Sequence, residues 1–188
     1  TRYHLDRVGA RSSASEQGHR LTGVKSLVPA GDEADAFIVP ANAGGGDDDD
    51  SGIALFLVER SAAGVTVRGY PTQDGARAAE LTLTAAPATL ISADGLAELE
   101  AGIDTAIAAV CAEAVGAMDK LVAITVEYMN TRKQFGTTLA TFQALRHRIA
   151  DVKMQLELAR SMSYYATLRL GDPAARRRQA VAQAKVQI

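Results

Sequence analysis

Hydrophobic and polar positions change their rhythm near residue 95, and the change predicts two unlike regions. In the first region, apolar residues come in short runs cut by glycine, proline and aspartate. Val24-Lys25-Ser26-Leu27-Val28-Pro29, entered through Arg20-Leu21-Thr22-Gly23, alternates and is closed by proline. Ala36-Phe37-Ile38-Val39-Pro40 and Ile53-Ala54-Leu55-Phe56-Leu57-Val58 are apolar throughout, which predicts strands buried on both faces. Val65-Thr66-Val67-Arg68-Gly69-Tyr70 follows a glycine turn. Glu80-Leu81-Thr82-Leu83-Thr84 alternates with period two, so one of its faces should be wet. Strands in series with no helix between them predict an antiparallel barrel or sandwich.

In the second region the period lengthens to that of helices. From Leu96 to about Thr131 apolar or small residues fall at Leu99, Ile103, Ile107, Val110, Ala114, Met118, Leu121 and Thr125. From Thr141 to Leu170 they fall at Leu145, Ile149, Val152, Leu156, Ala159, Ser163, Ala166 and Leu170. Steps of three and four predict a seam along which antiparallel helices meet. Gly171-Asp172-Pro173 then predicts a helix stop and a new start, with Gly at C′, Asp as N-cap and Pro at the first helical position. The expected fold is therefore α+β and multidomain. An antiparallel β-barrel or sandwich over residues 1–93 precedes an antiparallel helical bundle over 94–188, whose last helix ends with its pattern unfinished.

Composition sharpens the division. Residues 1–95 carry 13 acidic and 8 basic side chains, whereas 96–188 carry 9 and 12, giving −5 and +3. A net charge of only −2 over 188 residues supplies no field for nucleic acid or an anionic membrane. No apolar stretch is long enough to span a bilayer, and no leader pattern opens the chain, so the expected location is cytoplasmic. A single cysteine, Cys111, excludes a disulfide framework and a thiolate cluster; on an apolar helix face it reads as a small core residue.

Metal chemistry finds little support. Asp47-Asp48-Asp49-Asp50, after Gly44-Gly45-Gly46, invites a calcium reading, but its spacing lacks the separated ligands and closing glutamate of a calcium loop. We read a solvated hairpin loop. His4 and His19 fall in expected loops without a second ligand, and His147 lies between Arg146 and Arg148 on a helix, so no metal is expected. Arg176-Arg177-Arg178 opens the last helix, where a solvated face or intersubunit ion pairs are expected.

The most informative stretch joins the two long helices: Glu127-Tyr128-Met129-Asn130-Thr131-Arg132-Lys133-Gln134-Phe135-Gly136. Arg132 at a helix C-terminus complements the helix dipole. The same guanidinium also suits phosphate oxygens, with Gln134 and Phe135 offering a hydrogen bond and an apolar surface to a nucleotide. Spacing alone leaves both readings open.

Arg132-Lys133-Gln134-Phe135-Gly136, followed by Phe142-Gln143 and His147-Arg148-Ile149-Ala150-Asp151-Val152, resembles the signature of the acyl-CoA dehydrogenases. Leu156–Arg160 and Tyr164-Tyr165-Ala166 extend the likeness, and Ala112–Asp119 resembles the first helix of that family's C-terminal domain. Gly23-Val24-Lys25 and Ile53–Val58 fit its middle β-domain. The resemblance implies an FAD enzyme that desaturates acyl-CoA thioesters at the α,β bond and passes electrons to an electron-transferring flavoprotein. It also implies a dimer or tetramer, homo- or heteromeric. Carried over by position, Arg132, Lys133 and Gln134 would contact the FAD pyrophosphate, Phe135 would flank them, and Phe142 and Gln143 would lie near the adenosine.

Two positions depart from the family. Where many members carry Trp-Ile-Thr against the flavin ring, this chain has Leu27-Val28-Pro29, and proline offers neither N–H nor hydroxyl. Where some members carry their base on the first helix of the last domain, it has Ala106, beside Ile107; Glu113 reads as a buried or paired helix residue. The catalytic base is therefore unassigned, and the chain reads as the middle of a longer one. The second reading is a non-catalytic subunit of a heteromeric dehydrogenase supplying half a flavin site. A third is an oxidase or monooxygenase on the same architecture.

Overall fold

The computed structural model describes residues 4–15, 18–43 and 52–188. The Asp47–Asp50 run and its calcium reading lie outside the described residues. The chain falls into two compact units, Thr1–Glu100 and Ala101–Ile188.

In the first unit, strands β1 (Arg11–Ser15), β2 (Gly18–Pro29), β3 (Ala36–Asn42), β4 (Ile53–Glu59), β5 (Val65–Pro71) and β6 (Arg77–Ser92) form one sheet in the order β2-β1-β3-β4-β6-β5. An additional β2–β6 pairing closes five of them into a barrel-like ring with β5 on the outside. All pairings are antiparallel except β1–β3, a parallel bridge at Arg11 and Asn42.

Two bulges bend β2 and β6 sharply enough to close. Between Leu21↔Ala86 and Gly23↔Leu83 the extra residue lies on β6, and Ala85 there adopts φ 48°. The Ala85 N–H donates to Thr22 Oγ1 at 3.1 Å. Between Lys25↔Leu81 and Val28↔Ala79 the extra residue lies on β2, and Leu27 takes φ 56°. Gly64, at φ 81°, is required at the β4–β5 turn, since a Cβ would stand 2.2 Å from the Thr84 carbonyl oxygen.

The barrel interior is filled by Leu21, Val39, Phe56, Val58, Leu81 and Leu83, all essentially buried. Ile53–Val58 is covered on both faces as its apolar run predicts, and β6 alternates as expected. β3 differs: Ile38 is 67% exposed, so this strand has one covered face despite its apolar sequence. β1 had no hydrophobic signal to announce it, being Arg-Ser-Ser-Ala-Ser. His19 lies in β2 and not in a loop; its ring stands 5.1 Å from that of Phe56 and bonds Ser12 Oγ at 3.2 Å.

The second unit holds most of α1 (Gly95–Thr131), the two-stranded hairpin of β7 (Lys133–Gln134) and β8 (Thr137–Thr138), a short 3-10 turn, α2 (Gln143–Leu168) and α3 (Ala174–Gln187). On α2 the expected seam is met at Leu156, Ala159, Ser163 and Ala166. On α1 the covered line runs through Asp104, Ala108, Cys111 and Val115, one residue beyond the expected one, and Val110 and Leu121 are exposed. A buried ion pair accounts for part of that shift. Asp104 faces inward because Arg177 of α3 donates to it, Nε to Oδ2 at 2.8 Å. Arg177 is thereby an internal strut, contrary to the expectation of a solvated or intersubunit arginine cluster. The expected capping by Asp172 also fails, since its carboxylate pairs with Arg169 at 3.0 Å and Pro173 stands at the N-cap of α3.

Candidate functional site

The link between α1 and α2 is a tight hairpin. α1 ends with side chains turned back onto its own carbonyls: Asn130 Nδ2 donates to Val126 O at 2.8 Å, and Thr131 Oγ1 to Glu127 O at 3.1 Å. The Arg132 N–H still donates to Tyr128 O, while its carbonyl accepts from Leu139 N at 2.9 Å. That bond ties the far end of the hairpin to the helix. Lys133 pairs with Thr138 and Gln134 with Thr137, leaving Phe135-Gly136 as a two-residue loop.

Both loop residues have positive φ, 54° at Phe135 and 80° at Gly136, as a type I′ hairpin turn requires. Glycine accepts this freely; phenylalanine does not, and the conformation costs about 1–2 kcal/mol. Packing offers little return, because Phe135 is 92% exposed. Its one aromatic neighbour among the described residues is Phe142, edge-on at 6.2 Å and 89°. Phe142 is half-buried at the N-cap of α2 and provides no side-chain cap, and no acidic residue occupies the first turn of that helix.

The structure thus gathers the expected residues onto one exposed element. Arg132, Lys133, Gln134 and Phe135 lie on the hairpin, exposed, and Phe142 and Gln143 follow at the start of α2. Neither Arg132 nor Lys133 is in an ion pair with a described residue. Among the described residues Gln134 Nε2 bonds only the adjacent Lys133 carbonyl, at 2.9 Å. Two unneutralised cations, an amide, an uncapped helix N-terminus and a protruding ring suit a phosphorylated group with a flat aromatic end.

The strain at Phe135 had no counterpart in the sequence reading, although Phe-Gly between two short polar pairs could have signalled a primed turn. Other expected positions lie elsewhere. Leu27, in the β2 bulge, is 62% exposed, and Pro29 pairs with Ala78. Ala106 is exposed on α1, as is Glu113, so of the two readings expected for Glu113, buried or paired, the buried one fails. His147 lies exposed on α2, at 3.5 Å from Gln143. Among the described residues no group of His, Cys, Asp or Glu could hold a metal ion, and no helix is long and apolar enough to cross a membrane.

Residues 93–188, just over half the chain, match the family model described as acyl-CoA dehydrogenase, C-terminal domain. Acyl-CoA dehydrogenase FadE27 of Mycobacterium tuberculosis is 32% identical over 142 residues, covering 75% of this chain and 36% of that one. Among solved structures, butyryl-CoA dehydrogenase from Megasphaera elsdenii superposes with a TM-score of 0.80 at 26% identity, over 93% of this chain and 49% of that one. The ChsE4-ChsE5 complex from Mycobacterium tuberculosis gives 0.73 at 29% identity, over 97% and 50%. The chain thus spans about a third to a half of the length of these relatives.

Proposed function

This chain belongs to the acyl-CoA dehydrogenase family, and on that premise we propose that the protein it comes from is an FAD-dependent dehydrogenase acting on an acyl-CoA thioester. Residues 1–93 are its β-barrel domain and 94–188 part of its helical domain. The observation that carries the reading is the exposed, strained turn at Phe135-Gly136 beside Arg132 and Lys133, neither of them in an ion pair with a described residue. A strained aromatic with almost no contacts of its own marks a surface shaped for something else.

FAD fits this donor set. Its pyrophosphate supplies the two negative charges that Arg132 and Lys133 lack, the Gln134 amide can donate to an ester oxygen, and Phe135, Phe142 and Gln143 border the flat adenosine end. When bound, the flavin accepts the β-hydride of the acyl chain. This chain's own part is to bind and orient the dinucleotide, since none of its described side chains is assigned the removal of the α-proton. In this reading an electron-transferring flavoprotein takes the electrons onward, and the working protein is an oligomer.

A specific observation favours a second reading, a non-catalytic subunit that completes a partner's flavin site. Pro29, standing where the family triplet ends in threonine, offers neither N–H nor hydroxyl, and Ala106 carries no carboxyl. The similarity to a ChsE4-ChsE5 complex accords with that alternative.

The test is flavin content in the full-length protein. Arg132→Ala should weaken FAD retention roughly tenfold to a hundredfold, the worth of one charge-assisted hydrogen bond, read by flavin absorbance after gel filtration. Oxidation of acyl-CoA with ferricenium as acceptor separates the two readings. A full-length preparation that takes up no FAD, alone or with a partner subunit, overturns both.

A further inference from the structure

Flavin binding as described makes no use of Lys25. This residue sits on β2 opposite Leu81 of β6, between the two bulges, and helps to line a cavity of ≈210 Å³ in the β unit. The walls are apolar: Val28 on β2, Ala34 before β3, Phe37 and Val39 on β3, and Leu81 on β6. Val39 and Leu81 are almost wholly buried. An ammonium group gains nothing from such a lining, and no ion pair with a described residue compensates it. Glu33 and Asp35, which flank Ala34 on the β2–β3 loop, are exposed; Asp32 on the same loop is committed to Arg77, and Glu80 on β6 to Arg68. Lys25 itself is half-buried, so solvent and small reagents reach it.

We propose that Lys25 is an acylation site that takes short acyl groups directly from thioesters. Burial alone lowers its amine to a pKa of about 8 from 10.5. At pH 7 about a tenth is free base, against about one part in three thousand for an unperturbed lysine. The unprotonated Nζ attacks the thioester carbonyl carbon, the C–S bond breaks, and the C–N bond of an amide forms. The departing thiolate takes up the proton lost by the amine, so no oxidant or reductant is needed. The amide is neutral at every pH, and an apolar cavity that penalises the ammonium accepts it. A volume of ≈210 Å³, about seven times a water's share of the liquid, suits an acyl group of roughly two to four carbons and not a long chain.

The proposal rests on the family reading only for the presence of acyl-CoA as donor; the chemistry requires any thioester. The experiment incubates the full-length protein with butyryl-CoA, or with butyryl- and palmitoyl-N-acetylcysteamine thioesters, across about pH 6.5 to 9.5. Peptide mass spectrometry then follows Lys25 beside Lys120 and Lys185. Lys25 should be butyrylated at least about tenfold faster than those two at neutral pH, with a rate that rises through a midpoint near pH 8 and then levels. A free-base fraction roughly 300-fold above that of an unperturbed lysine is offset in part by the weaker nucleophilicity of a less basic amine. Palmitoylation should be far slower, and Lys25→Arg should abolish the label while Lys120 and Lys185 react as before. Labelling of Lys25 no faster than the other two, or equal rates for both chain lengths, overturns the proposal. Flavin content and ferricenium-coupled activity are read on the same preparation. Butyrylation without flavin sinks the dehydrogenase reading alone, and flavin activity without butyrylation sinks this one alone.

Discussion

The two units solve the problem of burying apolar surface in opposite ways. In the β unit a sheet closes on itself, and large side chains fill the interior: Leu21, Val39, Phe56, Val58, Leu81 and Leu83 are all nearly inaccessible. In the helical unit only Leu156 and Val181 match them, and the helices meet largely through small residues, Ala108, Cys111, Ala159, Ser163, Ala166 and Ala184. Small residues let helix backbones approach, yet they cover little. Val110, Leu121, Leu168 and Val186 face outward, and a groove of ≈550 Å³ opens between Met118, Leu121, Ile149, Val152 and Leu156. The β unit is held together by volume. The helical unit is held together by close contact and by one buried ion pair, and it keeps apolar surface of the kind that an assembly would cover.

Phe56→Ala should produce the largest loss, about 4 kcal/mol, by leaving a cavity in a closed interior that has no means of collapsing. Native-state hydrogen exchange on the full-length protein would locate that loss: amides of β2, β3, β4 and β6 should exchange faster while those of α2 and α3 keep their protection. Equal loss in both units would mean that they do not stand as separate cores.

Asp104→Ala should cost less, about 3 kcal/mol, and should act on the other unit. Removing the carboxylate strands Arg177, whose side chain is only 14% exposed, without a partner. Protection should fall first in α3. Replacing both residues with apolar ones, Asp104→Leu with Arg177→Met, should restore most of the stability, since desolvation of the pair offsets much of its attraction. A double variant as unstable as the single one would show that the pair contributes more than relief of a stranded charge.

The same contrast explains what could be read from sequence. Strands such as Ile53–Val58 and Glu80–Thr84 were legible because their side-chain period reports which face is covered. β1 was not, because Arg-Ser-Ser-Ala-Ser joins the sheet through its backbone, which leaves no trace in hydropathy. On α1 an apolar pattern indicated a seam through Val110 and Leu121, but the covered line passes through Asp104. Only a partner 73 residues away, Arg177, makes an aspartate acceptable inside. Asp172 differs in that its competitor is local: Arg169, three residues back, takes the carboxylate that capping would use. The candidate site was visible as the run Arg132 to Gly136 and as Phe142-Gln143. What brings those two stretches together, the loop with positive φ at both residues, is a property of backbone geometry.

That strain supplies the smallest stability effect and the clearest test of the site. At Phe135→Gly three terms nearly cancel: relief of the left-handed conformation gains about 1 kcal/mol, glycine's extra freedom in the unfolded chain costs about 0.5–1, and loss of the edge contact with Phe142 costs about 0.5. The net change in stability should lie within about 0.5 kcal/mol, too small to disturb the fold, so any effect on flavin is an effect on the turn itself. Flavin retention by the full-length protein should drop severalfold. Ala85→Gly is the matching control in the β unit, because Ala85 is also left-handed, at φ 48°, but closes a bulge. It should leave flavin retention unchanged. If the two variants behave alike toward flavin, the strain at Phe135 serves hairpin closure, as that at Ala85 serves the barrel, and the dinucleotide must be held by Arg132 and Lys133 without it.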